Sequence, residues 1–272
     1  MAAIWSRLGP RLQFLRRRIQ FRLAALTGRE SALPPPALAR LNGPGDFVEM
    51  GEAIVRDLQE AAGLQADHSV LDVGCGAGRT ALGLTQFLSS NGRYEGFDIV
   101  PEAVAWCQRN ISSAHPNFQF ELADLSNPHY HRGASEAGAY RFAYDDASFN
   151  TAVVTSVFTH LRAAATANYI DEIARVLRPG GAVMATFFLV DEQSRAAMAS
   201  GAATFSFSEI ADGSLVANVH DPEGAVGHDK AELLDQWREA GLEPEVVWRG
   251  DWSAHPEGTR HQDVIVARKP TS

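Results

Sequence analysis

The chain has 272 residues, 45% of them hydrophobic, and a formal net charge of -9 at pH 7. That length supports one large α/β core with appendages, and the acidity argues against a general nucleic-acid binder. Two cysteines, Cys75 and Cys107, argue against a disulfide framework and suit a reducing cytoplasm; no apolar run reaches the length of a membrane span.

The charge balance reverses at the start. Arg7, Arg11, Arg16, Arg17, Arg18, Arg22 and Arg29 are opposed there only by Glu30. They interrupt each apolar stretch, which argues against a signal peptide. Leu12, Leu15, Ile19, Leu23 and Leu26 recur at helical spacing behind Pro10, while Phe14 and Phe21 point the other way. Residues 1–46 therefore read as a basic helix and a Pro-rich linker, capping the main domain or packing on a partner chain. The alternative is a peripheral helix on an anionic membrane surface. Pro34, Pro35 and Pro36 make the start of the joint to the main domain, residues 47–272, extended rather than helical.

Val70, Leu71 and Val73 read as a short buried strand. Gly74, Gly76 and Gly78 follow as a tight turn, and Ala81 to Leu84 opens a helical pattern. Such a turn lets a ligand lie against the backbone, with amide N–H groups aimed at it. A dinucleotide fingerprint would be G-x-G-x-x-G. The pattern here is G-x-G-x-G, with Arg79 where the third glycine would fall. Asp72, inside the strand, is expected to face the ligand, and a carboxylate suits a cationic group better than a pyrophosphate. S-adenosylmethionine carries a sulfonium and an ammonium and no phosphate, so charge favours it over NAD.

Downstream, Tyr94 to Ile99 reads as a second strand carrying Asp98, an acid spaced from the loop as a ribose-binding carboxylate would be. Phe118 to Leu122 alternates as a third strand, followed by Ala123-Asp124-Leu125. Phe149 to Thr155 is a fourth strand leading into Ser156 and His160. Ile173 to Gly181 closes a helix at Pro-Gly-Gly and starts a fifth strand, Ala182 to Leu189.

Leu71 to Gly78, Gly96-Phe97-Asp98, Ala123-Asp124-Leu125 and Leu177 to Gly181 resemble, in order and spacing, the motifs of class I S-adenosylmethionine-dependent methyltransferases over roughly residues 47–269. The resemblance implies a Rossmann-like, doubly wound, seven-stranded and mostly parallel sheet with a reversed last strand and helices on both faces. It implies that Asp98 holds the ribose, that Asp124 holds the adenine amino group, and that the loop (Asp72, Gly74, Cys75, Gly76, Gly78) holds the methionine end. Ile99, Leu125 and Ser156, at the ends of their strands, complete the expected cofactor set. Cys75 is read as a small side chain in a crowded loop, not a reactive thiol.

Two stretches exceed the basic repeat. Residues 126–146 join the third and fourth strands, and residues 191–228 precede the helix Lys230 to Ala240. The second contains possible strand pairs at Thr204–Phe207 and Ser214–Ala217. Both emerge at the carboxyl ends of the strands, where ligands sit in this architecture, and are expected to form the acceptor pocket and its lid.

Methyl transfer is an in-line displacement that needs alignment, exclusion of water and, for a hydroxyl acceptor, removal of a proton. His160 is the candidate base; the alternative is a hydrogen-bonded structural histidine. His129 and His131 are weaker candidates, and two histidines without a third ligand define no metal site. Asp191 and Glu192 read equally as pocket or solvent residues. Methyltransferases acting on amino groups of bases or amides commonly carry an Asn-Pro-Pro-Tyr-like tetrapeptide after the fourth strand. Thr155-Ser156-Val157-Phe158 stands there instead, and Asn127-Pro128-His129-Tyr130 sits after the third strand. The expected activity is methylation of a small-molecule acceptor, on oxygen of a sugar, lipid or polyketide-type compound. Transfer to nitrogen or carbon, or a non-catalytic cofactor-binding accessory protein, are the alternatives.

Overall fold

In the computed structural model of the chain, the described residues are 33–43, 45–125 and 136–271. The basic helix expected before residue 33 lies outside them, as do His129, His131 and the Asn127–Tyr130 tetrapeptide. The joint is not simply extended. Pro36 opens a short helix, α1 (Pro36–Ala39), and a 3-10 turn, Arg40–Asn42, follows. Only Pro34 and Pro35 stay non-helical. Proline tolerates the first helical turn because its missing N–H has no helical partner there.

α2 (Phe47–Ala61) is capped by Asp46, whose carboxylate accepts from the amides of Val48 and Glu49. The chain then lays down β1 (Ser69–Val73), α3 (Arg79–Leu84), β2 (Arg93–Asp98), α4 (Pro101–Cys107) and β3 (Phe118–Leu122). β4 (Phe149–Val154), α5 (Ala163–Val176) and β5 (Leu177–Phe187) follow. β1 lies between β2 and β4, parallel to both. Buried on two faces, it reads as the near-continuous apolar run seen in the sequence.

Pro-Gly-Gly does not separate helix from strand. The strand already runs from Leu177, and pairing with β4 slips between Phe149–Leu177 and Thr151–Ala182. Gly180, at φ 78, lies in that bulge. The strand also ends at Phe187, before the expected Leu189.

Leu189–Val190 is instead β6, in a second sheet. After α6 (Glu192–Ser200) come β7 (Ser208–Glu209), β8 (Leu215–Val216) and β9 (Val226–Asp229), giving a four-stranded order β6-β9-β8-β7. The expected strand at Thr204–Phe207 is displaced, because its amides bond elsewhere. Thr204 donates to Trp252 O at 2.6 Å and Phe207 to the Met198 sulfur at 3.3 Å. α7 (Lys230–Glu239), β10 (Glu243–Trp248) and β11 (Asp263–Arg268) complete the chain.

The main sheet has seven strands in the order β10-β11-β5-β4-β1-β2-β3. β11 is antiparallel to both neighbours, the reversed last strand. Apolar cores cover both faces. One holds Phe97, Phe142, Phe158, Ile173 and Trp237, the other Val55, Leu58, Leu84, Tyr94 and Trp106. A third cluster, Phe188, Val190, Phe207, Ala225 and Trp252, sits under the small sheet. Among the described residues no helix is long and apolar enough to cross a membrane.

Candidate functional site

A cavity of about 590 Å³ opens at the carboxyl ends of β1, β2 and β4, within the range of small-ligand pockets. Gly74 and Gly76 of the loop after β1 form part of its wall, with Asp98 and Ile99 after β2, Leu125 after β3, and Ser156 and His160 after β4. Gly78 does not reach the wall; at φ 78 it caps α3, and a Cβ there would stand 2.7 Å from Ile111 Cδ1.

The loop amides do not point at a ligand as expected, because each has a protein acceptor. Gly74 and Cys75 donate to Phe97 O at 2.9 and 3.0 Å, and Gly78 to Cys75 O at 3.0 Å. Gly76 donates to Asp98 Oδ2 at 2.7 Å and Ala77 to Asn42 Oδ1 at 3.0 Å. A pyrophosphate would find these donors already used, and buried donors given up cost free energy. The loop therefore presents bare backbone, suited to a phosphate-free ligand.

Asp98 also accepts from Val100 N at 2.9 Å. Burial pushes its pKa up, while hydrogen bonds from the amides of Val100, Gly76 and Ile99 pull it down. A carboxylate oxygen can accept more than one hydrogen bond, so both can still receive hydroxyl protons from a ligand.

Asp72, expected to face the ligand, does not line the cavity. It shares the Val70 face of β1, turned toward the α2–α3 layer and away from the cavity wall. Tyr94 donates its hydroxyl to Asp72 Oδ2 at 2.7 Å. Gly96, opposite Asp72 in the sheet, makes room for that contact, since a Cβ there would stand 2.7 Å from the Tyr94 oxygen. Asp72 Oδ1 has no partner, and burial pushes the carboxyl pKa up to about 7.

Cys75 is buried beneath the loop, off the wall, with its thiol pushed well above the ordinary range by burial. That environment disfavours the thiolate and leaves the thiol inert. Asp124 is also off the wall. It is exposed, while Leu125 beside it turns inward; adjacent residues of an extended chain point to opposite sides. The adenine role expected for Asp124 finds no support in this placement.

Ser156 holds φ at 58, unusual for a residue with a Cβ. Thr186 Oγ1 accepts from its amide at 2.8 Å, and its hydroxyl donates to Gln262 Oε1 at 3.0 Å. His160 ends the 3-10 turn Phe158–His160. Its Nδ1 lies 2.8 Å from the carbonyl oxygen of Glu223. A carbonyl only accepts, so Nδ1 carries the proton and Nε2 the lone pair in the neutral ring.

Several residues of the site were not anticipated. His228 is buried, and its Nε2 donates to Phe158 O at 2.8 Å, tying down the turn that carries His160. Burial drives its pKa down to about 4. Asn42 belongs to the joint, yet its amide bridges Cys75 O and the Ala77 amide, and it lines the cavity with Arg40, Leu41 and Gly43. Arg79, His261 and Gln262 also stand on the wall. Nothing local in the sequence marks Asn42, whose contacts span the α2 helix and β1.

Both insertions reach the cavity, through Glu136 and Gly138 in one and Phe205, Glu223 and Ala225 in the other. Asp191 instead caps α6 and pairs with Arg249 at 3.2 Å, and neither it nor Glu192 lines the cavity. Among the described residues no cluster of His, Cys, Asp and Glu could hold a metal ion.

Residues 70–181 match the family model described as a methyltransferase domain. An uncharacterized protein of Haemophilus influenzae is 30% identical over 122 residues, covering 45% of this chain and 43% of that relative. The chain thus spans under half the length of this curated relative. Among solved structures, a protein from Pyrococcus horikoshii OT3 has the same fold at a TM-score of 0.57 and 14% identity, over 84% of this chain and 93% of that one. The Burkholderia thailandensis 1,6-didemethyltoxoflavin-N1-methyltransferase, solved with 1,6-didemethyltoxoflavin and S-adenosylhomocysteine, aligns at 0.52 and 20% identity, over 97% and 91%. The family-model match thus places a methyltransferase domain at the centre of this sheet, from β1 into β5.

Proposed function

We propose that this protein methylates an oxygen of a small-molecule acceptor of sugar, lipid or polyketide type, with His160 as the general base. The site fits S-adenosylmethionine. Its glycine loop keeps no amide for a phosphate, and Asp98 offers an anionic acceptor at the cavity edge. Bound S-adenosylmethionine supplies a methyl group already activated by its sulfonium. Asp98 would accept the ribose hydroxyls, while Gly74 and Gly76 let the ligand approach the backbone. Walls from both insertions would exclude water from the acceptor end.

The observation that carries the oxygen reading is the His160 tautomer. With Nδ1 committed to Glu223 O, Nε2 is free to take the acceptor's proton as the new C–O bond forms. The carbonyl then continues to hold Nδ1–H in the imidazolium. Methyl transfer to nitrogen is the second reading, favoured by the activity of the Burkholderia enzyme.

His160→Ala tests the assignment. Turnover should fall by about 10²–10⁴-fold with S-adenosylhomocysteine affinity unchanged, and the loss should shrink at high pH, where the hydroxyl ionises unaided. Lower thermal stability with full turnover would make His160 structural. Cofactor binding without turnover on any hydroxyl, amine or carbon acceptor would point to an accessory protein.

A further inference from the structure

Three aromatic rings meet in one corner of the cavity wall. Phe188 follows β5, Phe205 lies in the second insertion, and His261 precedes β11; all three line the cavity. The Phe188 ring centroid is 4.9 Å from Phe205 and 5.9 Å from His261, which lie 6.3 Å apart. The planes are inclined at 49°, 80° and 57°, so the rings make a corner instead of a closed stack.

We propose that Phe188, Phe205 and His261 form an aromatic subsite that selects a planar aromatic hydroxy compound as the methyl acceptor. This deepens the reading of the cavity as a methyl-transfer site, and rests on it for the words "methyl acceptor". A flat ring entering the corner meets edges and faces at the inclinations that aromatic pairs prefer.

One ring of the corner is held in place before a ligand arrives. Phe188, 4% exposed, packs on Trp252 at 5.4 Å and Phe207 at 5.8 Å. Trp252 is itself fixed by an Nε1–H···Asp263 Oδ2 bond of 2.6 Å. Ordering Phe188 therefore adds little to the cost of binding.

Polar groups beside the corner argue against a polyhydroxylated acceptor, because Ser156, Gln262, Arg162 and His261 already have protein partners. Ser156 donates to Gln262 at 3.0 Å, and Arg162 pairs with Asp212 at 2.7 Å and Glu223 at 3.7 Å. His261 Nδ1 lies 3.2 Å from Asp251 Oδ1. A sugar would have to break such bonds to satisfy its hydroxyls. A phenol-like compound needs apolar ring contact and one proton acceptor, and Nε2 of His160 supplies the latter.

The test is calorimetric titration of the full chain with 2-naphthol, methyl glucoside and 1-decanol, with and without S-adenosylhomocysteine. The wild type should bind 2-naphthol and not methyl glucoside. Phe205→Leu keeps an apolar side chain and removes the ring; it should weaken 2-naphthol by about 2–10-fold, leaving decanol and S-adenosylhomocysteine affinities unchanged. His261→Ala, at an exposed position, should do the same and carries the test if Phe205→Leu does not fold. Preference for the glucoside, a parallel loss of decanol, or unchanged 2-naphthol affinity in a folded variant would overturn the proposal. Absence of S-adenosylhomocysteine binding would overturn the cofactor reading alone, since the titration without it still judges the subsite.

Discussion

Asp72 and His228 give this protein two buried titrations that oppose each other. Asp72 has its carboxyl pushed from 3.8 up to about 7 by burial, against the hydrogen bond from Tyr94. Its contribution to stability is fully present below about 3.8 and is lost as pH rises through about 7, because the unfolded chain ionises first. At about 1.4 kcal/mol per pH unit, that loss amounts to about 4 kcal/mol. His228 runs the other way. Burial lowers its pKa from 6.5 to about 4, so its contribution is present above about 6.5 and is lost as pH falls through about 4. That loss is about 3 kcal/mol. Between about pH 4 and 6.5 the two slopes nearly cancel.

Asp72→Asn should uncover the His228 slope, and His228→Gln the Asp72 slope. Asn keeps an oxygen for the Tyr94 hydroxyl, so its offset should not vary with pH. Urea unfolding at intervals from about pH 4 to 8 measures the difference. The stability of Asp72→Asn relative to wild type should rise by about 4 kcal/mol across that range. A difference that stays flat with pH would show that Asp72 is not the titrating group and that the burial argument is wrong.

Removing Asp98 as Asp98→Ala should cost about 2–4 kcal/mol of S-adenosylhomocysteine binding, from lost charge-assisted hydrogen bonds; unchanged affinity in a folded variant would refute its ribose role. Asn42→Ala frees the Ala77 amide and should weaken the same ligand by about tenfold, read by calorimetry, whereas equal affinity would make the joint a bystander. Deleting residues 1–32 should leave cofactor affinity intact, because the cofactor motifs begin near Ser69. If the basic segment meets membranes, the deletion should also reduce binding to anionic vesicles; equal vesicle binding would leave the cap or partner role.

The positions of the parallel strands were legible because each is a local pattern, a buried run closed by a turn, whereas the mostly parallel sheet with a reversed last strand came from the resemblance. The errors came where parity or distance decided. Asp72 alternates with Leu71 and Val73, which belong to one core, and so shares the face of Val70, which belongs to the other. Its direction was readable from strand period, but the ligand-facing expectation ignored it. Thr204 to Phe207 alternates as a strand should. The pattern was met by ring packing instead, with the ladder falling to Ser208–Glu209.

Asn42 illustrates a harder case. A glycine turn after a strand is compatible with a dinucleotide or with S-adenosylmethionine, and its glycines alone do not decide between them. The decision lies in which groups accept from the loop amides. Asp98, 22 residues downstream of Gly76, takes one; Asn42, 35 residues upstream of Ala77, takes another. Asp98 sits at a spacing that marks it as a ligand-binding acid. Asn42 sits in a proline-rich joint that composition describes as a spacer, and only folding brings it to the loop. A Cβ at Gly76 would stand 2.5 Å from the Asn42 amide nitrogen. A substitution at Gly76, which also holds φ at 54, would therefore push the Asn42 side chain off Cys75 O and the Ala77 amide and so disturb the loop from the joint's side.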